Sequence, residues 1–258
     1  MTSLKDKTVL ITGASAGIGE AAARAFGRSG SRLILAARRE EKLKQLAEEL
    51  EQTCAATSLI LALDLRERDE ITEKLGALDS KWRKIDILVN NAGLARGVEK
   101  MYEMSAADWN EVVDVNIKGL IAVTNAIVPG MVERGSGHVI NLGSIAGHEA
   151  YPGGAVYCAT KFAVNALSRG LKMDLLGTPV RVTSIDPGLV ETEFSQVRFH
   201  GDSELARKPY EGIKALSGAD IAEAIIWAAT RPAHVNISQM IIFPTAQAST
   251  QHVHRELE

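Results

Sequence analysis

The chain has 258 residues, of which 46% are hydrophobic and 24% are charged, a composition that excludes a disordered or collagen-like protein. Its 32 acidic and 29 basic residues give a net charge of -3, which argues against a nucleic-acid-binding protein. No uninterrupted apolar run approaches the ~18 residues of a membrane-spanning helix, and the N-terminus lacks the apolar core of a signal peptide. We therefore expect a cytoplasmic protein with reduced cysteines and no membrane partner.

Short β-branched or aliphatic runs alternate with longer amphipathic stretches along the chain. One such stretch, 40–52, carries Leu43, Leu46 and Leu50 at helical spacing. The central short runs are nearly all apolar, as in strands that helices cover on both faces. The alternation predicts a single α/β domain over residues 1–258, with a Rossmann-type, doubly wound parallel sheet of about seven strands and helices on both faces. The predicted strands are 7–12, 32–36, 58–63, 85–89, 138–142, 180–185 and 239–243.

A glycine-rich turn, TGASAGIG at 12–19, follows the first predicted strand. Gly13, Gly17 and Gly19 let the backbone turn tightly, so that a pyrophosphate can approach the N-terminus of the next helix. The spacing G-x-x-x-G-x-G differs from the common dinucleotide fingerprint G-x-G-x-x-G, and a plain strand-to-helix turn is the alternative. The strand before the turn and the helix after it favour a nucleotide site.

Two arginines close the second predicted strand, where an NAD-binding protein carries a carboxylate for the ribose 2′-hydroxyl. In this chain Ala37 is followed by Arg38 and Arg39. Guanidinium groups at this place suit a 2′-phosphate, and cations at a helix N-terminus oppose the helix dipole. The pattern predicts NADP as the cofactor, against the alternative that both arginines are merely solvated.

A serine, a tyrosine and a lysine form a candidate catalytic group within residues 143–161. Tyr157 and Lys161 are four residues apart and share one face of a helix. Because a cation beside a phenol favours the phenolate, we expect the pKa of Tyr157 to be lowered and this residue to act as an acid or base. Ser144 follows a predicted strand, so its hydroxyl can hold a substrate oxygen beside Tyr157. A surface tyrosine–lysine pair is the alternative.

Seven motifs occur in order along the chain: TGASAGIG at 12–19, Asp64 in ALDL, NNAG at 90–93, Asn116 in VNIKG, Ser144, YCATK at 157–161 and PGLVET at 187–192. With these motifs the chain resembles the short-chain dehydrogenase/reductase family over essentially its whole length. The stretches at 192–202, 231–237 and 251–258 resemble the NADP-dependent 3-hydroxy acid (serine or allo-threonine) dehydrogenases, and the sulfoacetaldehyde reductases are similar in the same places.

The resemblance implies a role for each matching residue. Tyr157 would exchange the proton with the carbonyl oxygen, and Ser144 would bind and polarise that oxygen. Lys161 would hold the nicotinamide ribose, and Asn116 would hold a water that links Lys161 to solvent. The residues implied to bind NADP(H), in addition to Tyr157 and Lys161, are Gly13, Ser15, Gly17, Ile18, Gly19, Arg38, Arg39, Asp64, Leu65, Asn91, Ala92, Gly93, Pro187, Gly188, Val190 and Thr192.

The segment 191–212 is polar and shows no clear period, so we expect an irregular loop that binds the substrate. Arg198 in this loop can pair with an acid group of the substrate, and the alternative is a rim arginine paired to a nearby carboxylate. Gln196 and Tyr151 are further candidates for hydrogen bonds to the acid group. We interpret Arg96 as a solvated loop residue.

These observations predict an oxidoreductase that transfers a hydride between NADPH and a small anionic substrate: malonic semialdehyde and 3-hydroxypropionate, L-serine or L-allo-threonine. The first alternative is a sulfoacetaldehyde reductase that produces isethionate. A steroid, sugar or acyl-carrier reductase and a non-catalytic nucleotide-sensing scaffold are further alternatives. No metal is expected. The resemblance also implies a homotetramer, with the tail at 249–258, too short for its own core, docked on a neighbouring subunit.

Overall fold

The computed structural model describes residues 2–256. Its strands are β1 Thr8–Thr12, β2 Arg32–Ala37, β3 Ser58–Ala62, β4 Ile87–Asn90, β5 Gly137–Leu142, β6 Val180–Pro187 and β7 Gln239–Ile242. They form one parallel sheet in the order β3-β2-β1-β4-β5-β6-β7, which confirms the predicted Rossmann-type fold. The strand order reverses direction between β1 and β4, and open parallel sheets bind their ligands outside such a point.

Helices cover both faces of this sheet. A π-helical turn at Asp114–Gly119 joins the fifth helix to the sixth, and short 3-10 turns lie at Met101–Glu103, Ile145–Gly147 and Lys208–Tyr210. The α-helices are α1 Gly17–Arg28, α2 Glu40–Cys54, α3 Arg68–Gly76, α4 Ser80–Arg83, α5 Ala106–Val113, α6 Leu120–Glu133, α7 Ala155–Asp174, α8 Phe194–Arg198, α9 Ser203–Arg207 and α10 Gly218–Ala229.

Alternate residues of the central strands fill two separate cores. Val9 and Ile11 of β1 pack with apolar residues of α1, α2 and α10. Leu10, between them, faces the opposite layer, where it packs with residues of α3, α4, α6 and α7. Because successive side chains of a strand point to opposite faces, a continuous apolar run is needed to fill both cores.

The segment 191–212 is not the irregular loop that the sequence predicts. It contains α8, α9 and one 3-10 turn. The Asp202 carboxylate caps α9 by accepting hydrogen bonds from the N–H groups of Glu204 and Leu205, at 2.9 and 3.0 Å. Helices of five residues are too short to show a hydrophobic period, which explains why the pattern did not reveal them.

Within the described residues, the continuous helical stretch Ala106–Glu133 is long and apolar enough to cross a membrane by length and composition alone. Half of its most apolar window is buried inside the fold. Val112 and Val123 are fully buried, and the π-helical turn in the middle of the stretch places Asn116 in the interior. A buried core helix satisfies the same length and composition test.

The described part of the C-terminal tail, 249–256, packs on its own chain. The Thr250 N–H donates to a Glu149 carboxylate oxygen at 3.0 Å, and the Glu256 N–H donates to the Gly212 carbonyl at 2.9 Å. The last two residues of the predicted tail lie outside the described residues. Docking of the tail on a neighbouring subunit stays a prediction.

Candidate active site

A cavity of about 630 Å³ runs along the carboxyl ends of the strands, from the glycine-rich turn to α8. Three of the predicted site residues are absent from its wall: Gly19, Asn116 and Gln196. The predicted residues that line it are Gly13, Ser15, Gly17, Ile18, Arg38, Arg39, Asp64, Leu65, Asn91, Ala92, Gly93, Ser144, Tyr151, Tyr157, Lys161, Pro187, Gly188, Val190, Thr192 and Arg198.

The glycine-rich turn leaves the start of α1 open to an anion. Gly13 and Gly17 have φ angles of +66° and +57°, which side chains rarely allow. A Cβ on Gly13 would lie 2.9 Å from the Ala92 Cα, and one on Gly19 would collide with the Gly13 carbonyl oxygen beneath the turn. Ala16 precedes the helix and offers no side-chain cap, so the first N–H groups are available to phosphate oxygens.

The two arginines after β2 lie beside this turn. Arg38 is half exposed, and its Nη1 lies 3.5 Å from a Glu111 carboxylate oxygen. The Arg39 guanidinium donates to the Ser15 hydroxyl at 3.1 and 3.2 Å and to the Glu193 carboxylate at 2.7 Å. These cations and the open start of α1 fit a dinucleotide that carries a 2′-phosphate.

Asp64 and Leu65, two of the residues implied to bind NADP(H), are held by their neighbours. Burial opposes the charge of Asp64, but hydrogen bonds and charge from Arg66 outweigh it and keep the Asp64 pKa below its usual value. Leu65 packs against the π-helical turn, where a Cβ on Gly119 would lie 2.7 Å from the Leu65 Cβ. A side chain at Gly119 would therefore displace this wall of the cavity.

Helix α7 and the end of β5 bring Ser144, Tyr157 and Lys161 together. The Lys161 Nζ lies 5.8 Å from the centroid of the Tyr157 ring and donates to the Leu142 carbonyl at 2.8 Å. Ser144 begins the 3-10 turn after β5, and its Oγ accepts a hydrogen bond from the Ala146 N–H at 3.1 Å. The three side chains line one end of the cavity, as carbonyl acid–base chemistry requires.

The pKa of Tyr157 differs from the sequence-based expectation. Tyr157 is partly exposed where it lines the cavity, but desolvation of the phenol by burial raises its pKa above the usual 10. Tyr151 raises it further, whereas Arg198 and a hydrogen bond to Ser144 act in the opposite direction. The expectation of a lowered Tyr157 pKa is therefore wrong, because desolvation of the phenol outweighs the interactions that lower the pKa.

Burial lowers the pKa of Lys161 to about 8, and the charge of Asp186 acts against this decrease. The Lys161 side chain is buried, and its one hydrogen bond in the described part of the chain is that to Leu142. An ammonium group has three donors, so two of them are available to hydroxyl groups of a bound ribose.

Asn116 lies behind the cavity wall in the π-helical turn. Its Oδ1 accepts from the Leu94 N–H at 2.9 Å, and its Nδ2 donates to the Leu94 carbonyl at 2.8 Å and to the Thr160 hydroxyl at 3.0 Å. A Cβ on Gly93 would lie 3.3 Å from the Asn116 Oδ1 and 3.6 Å from the Lys161 Nζ. The Asn116 amide thus forms its hydrogen bonds with Leu94 and Thr160, and its role in a proton relay stays a prediction.

Arg198 points into the cavity and is not a rim arginine. Its Nη2 donates to the Tyr151 hydroxyl at 2.9 Å, and its Cζ lies 5.2 Å from the centroid of the Tyr157 ring and 5.3 Å from that of Phe194. Its Nε is buried and has no hydrogen-bond partner among the described residues. The pair of Arg198 and Tyr151 therefore presents a cation beside the tyrosine hydroxyl at which chemistry is expected.

Gln196 is exposed and lies outside the cavity, so its predicted role as a substrate ligand is not supported by its position. Phe194 and Arg198 are four residues apart on α8 and share a helix face, whereas Gln196, between them, points the other way. Arg96 is also not the solvated residue that the sequence suggested. It is 16% exposed and pairs with Glu111 at 2.7 Å.

Sequence analysis missed several residues of the wall. Tyr210 holds α8 in place, since its hydroxyl lies 2.9 Å from the Ser195 hydroxyl and donates to the Val190 carbonyl at 3.0 Å. Gln247 accepts a hydrogen bond from the Leu189 N–H at 2.8 Å. The spacing to Arg198 could have indicated Phe194, but no local pattern indicates the other two. In residues 2–256, no group of three or more His, Cys, Asp or Glu residues could hold a metal.

The chain was compared with known proteins. The family model described as short chain dehydrogenase matches residues 7–202. A Salmonella typhi protein named NADP-dependent 3-hydroxy acid dehydrogenase is 51% identical over 241 residues, which are 93% of this chain and 96% of that relative. Sulfoacetaldehyde reductase 2 of Chromohalobacter salexigens is 44% identical over 93% of this chain and 95% of its own. The solved closed form of a serine dehydrogenase complexed with NADP+ matches with a TM-score of 0.90 and 48% sequence identity. The match covers 96% of this chain and 100% of the serine dehydrogenase chain.

Proposed function

The chain belongs to the short-chain dehydrogenase family and is an NADP-dependent oxidoreductase acting on hydroxyl groups, and we propose that its substrates are small acidic semialdehydes and the matching 3-hydroxy acids. The observation that carries the proposal is the position of Arg198. Its guanidinium, fixed by Tyr151, lies in the cavity beside the Tyr157 ring. An anion that enters a partly dry site needs such a partner, because an unpaired charge is costly there.

The residues of this chain would act on the carbonyl as follows. NADPH, when bound, supplies the hydride to the carbonyl carbon. Tyr157 gives its hydroxyl proton to the carbonyl oxygen, and its raised pKa keeps that proton in place at neutral pH. Ser144 holds the same oxygen, and the nearby Lys161 ammonium stabilises the phenolate that the transfer leaves behind.

A sulfonate is the second candidate for the acid group. A guanidinium can also donate charge-assisted hydrogen bonds to a sulfonate, and one relative, 44% identical, is named as a sulfoacetaldehyde reductase. Malonic semialdehyde, L-serine and L-allo-threonine are the first substrates to test. A nucleotide-sensing scaffold is disfavoured, because Ser144, Tyr157 and Lys161 are all present and line the cavity together.

The test follows NADPH absorbance with malonic semialdehyde, sulfoacetaldehyde and propanal, the last as an uncharged aldehyde of similar size. We expect a higher kcat/KM for at least one of the anionic aldehydes than for propanal. The oxidative direction is tested with NADP and 3-hydroxypropionate, L-serine or L-allo-threonine. Equal activity on charged and uncharged aldehydes would refute the proposed substrate class while leaving the oxidoreductase assignment intact.

We also propose that the chain forms a homotetramer in the cytoplasm. Large apolar side chains are exposed on several elements: Trp109 of α5, Phe162 of α7, Trp227 of α10 and Ile241 of the edge strand β7. Exposed apolar surface of this kind and an open edge strand are typical of subunit contacts. Light scattering of the purified protein tests the proposal, and a monomer would contradict it.

A further inference from the structure

A buried carboxylate with no assigned role lies behind the proposed catalytic group. Asp186 lies near the carboxyl end of β6, directly before the PGLVET motif, and is fully buried. Its Oδ1 accepts from the Ser184 hydroxyl at 2.5 Å, and its Oδ2 accepts from the Gln239 amide at 2.6 Å and from the His148 Nε2 at 2.7 Å. Three hydrogen-bonding partners around one buried carboxylate fix its position.

The position of this carboxylate links it to the catalytic residues. A Cβ on Gly143, the residue before Ser144, would collide with the Asp186 Oδ1. Lys161 donates to the carbonyl of Leu142, the residue before Gly143, at 2.8 Å. The Lys161 ammonium and the Asp186 carboxylate therefore lie against adjacent residues, Leu142 and Gly143, at the end of β5.

Lys161 has no ion pair within 4.0 Å among residues 2–256, so its charge depends on longer-range compensation. The titratable groups around it are Tyr157 on its own helix and Asp186 on β6, with His148 of the 3-10 turn beyond the carboxylate. Among the described residues, Asp186 is the acidic group whose charge acts to raise the Lys161 pKa. An isolated buried ammonium would otherwise lose its proton.

We propose that Asp186 is a positioning residue, the buried counter-charge that keeps the Lys161 ammonium charged and fixed beside Ser144 and Tyr157. His148, Gln239 and Ser184 hold the carboxylate in place for this role. The effect of Asp186 on turnover rests on the proposed carbonyl reduction, whereas its charge coupling to Lys161 does not.

The first test measures that coupling without any activity. The wild type, Asp186→Asn, Lys161→Met and the double variant are unfolded in urea near pH 6.5 and near pH 9.5. Near pH 6.5, where Lys161 is charged, Asp186→Asn should raise the unfolding equilibrium constant about tenfold more in the Lys161 background than in the Met background, the equivalent of a change of one in pKa. Near pH 9.5, above the Lys161 pKa of about 8, the difference should disappear.

Each outcome of this cycle either supports or overturns the charge coupling between Asp186 and Lys161. If Asp186→Asn fails to fold with Lys161 but folds with Met at 161, that rescue has the expected sign. If Asp186→Asn fails to fold with either lysine or methionine at 161, or if the coupling is equal at both pH values, Asp186 acts through packing alone. Asp86→Asn is the matched control: this buried carboxylate lies at the opposite edge of the sheet, where it accepts from Lys7 at 3.1 Å.

The second test is the pH profile of kcat in the reductive direction. Half of the Lys161 side chains are charged at pH 8, and a pKa lower by about one, at the small end of the effect of a neighbouring charge, leaves about one tenth charged. Asp186→Asn should therefore lower kcat about fivefold at pH 8 and move the alkaline limb to lower pH. Asp86→Asn should leave the limb in place. An unmoved limb in Asp186→Asn overturns the proposal, whereas absence of wild-type turnover on every aldehyde refutes the proposed function alone.

Discussion

Replacement of Arg198 by methionine tests the proposed substrate class most directly. The change keeps an unbranched aliphatic side chain but removes the guanidinium, whose Cζ lies 5.2 Å from the centroid of the Tyr157 ring and 5.3 Å from that of Phe194. We expect KM for an anionic aldehyde to rise much more than KM for propanal. The physical reason is that the acid group of the substrate loses its charged donor in a partly dry site.

The geometry sets the size of this effect. A hydrogen bond to a charged group contributes about 1.5–3 kcal/mol, which corresponds to a roughly 10- to 150-fold selective rise in KM. One donor of Arg198 is already used by Tyr151 at 2.9 Å, while its buried Nε has no partner among the described residues. The Tyr151 hydroxyl accepts the bond from Arg198 and keeps its own proton, which in the variant can still be donated to the acid group. This partial replacement places the expected loss toward the lower end of the range.

The assay compares kcat and KM for malonic semialdehyde, sulfoacetaldehyde and propanal in three proteins. Arg39→Met is the matched control, because Arg39 also lines the cavity but contacts Ser15 and Glu193 at the proposed cofactor end. It should raise KM for NADPH and leave the preference among aldehydes unchanged. If Arg198→Met affects charged and uncharged aldehydes equally, the acid group does not bind at Arg198, and the proposed anchor is refuted.

Three further predictions follow from the site. Tyr157→Phe should lower kcat by at least ~10²-fold, because the transferable proton is lost. NADPH binding, measured by fluorescence, should persist. Near-normal turnover would refute the acid–base role. Arg38→Asp should reduce or reverse the preference for NADPH over NADH in kcat/KM, since a carboxylate repels a 2′-phosphate; equal use of both cofactors by the wild type would contradict the premise. Turnover in the reductive direction should fall as the pH rises through about 8, where the buried Lys161 loses its proton, and a flat profile up to pH 10 would exclude this role for its charge.

The sequence was sufficient to predict the sheet and its helical layers, and most of the predicted site residues line the cavity, because those features follow from local patterns. The glycines of the turn, the arginines after β2 and Ser144 after β5 each stand next to a strand end. In a parallel sheet all such ends meet at one edge, so their order along the chain sets their meeting place. Gln196 was placed wrongly because the side of a five-residue helix on which it falls depends on how that helix docks.

Charge balance in the interior could not be predicted in this way, because it depends on residues far apart in the chain. Glu111 of α5 contacts Arg38 and Arg96, at 3.5 and 2.7 Å, and thereby connects the cofactor end of the cavity to the loop after β4. The Tyr157 pKa was misjudged for the same reason. The sequence shows the lysine four residues away, but the desolvation that raises the pKa comes from the complete fold around the hydroxyl. The protonated phenol that results suits a proton donor, and its conversion to a base in the oxidative direction requires positive charge nearby. Among the described residues, Arg198 and Lys161 are cations next to the ring that can supply it, so the proposed substrate binding at Arg198 and the proposed proton transfer at Tyr157 would share one electrostatic environment.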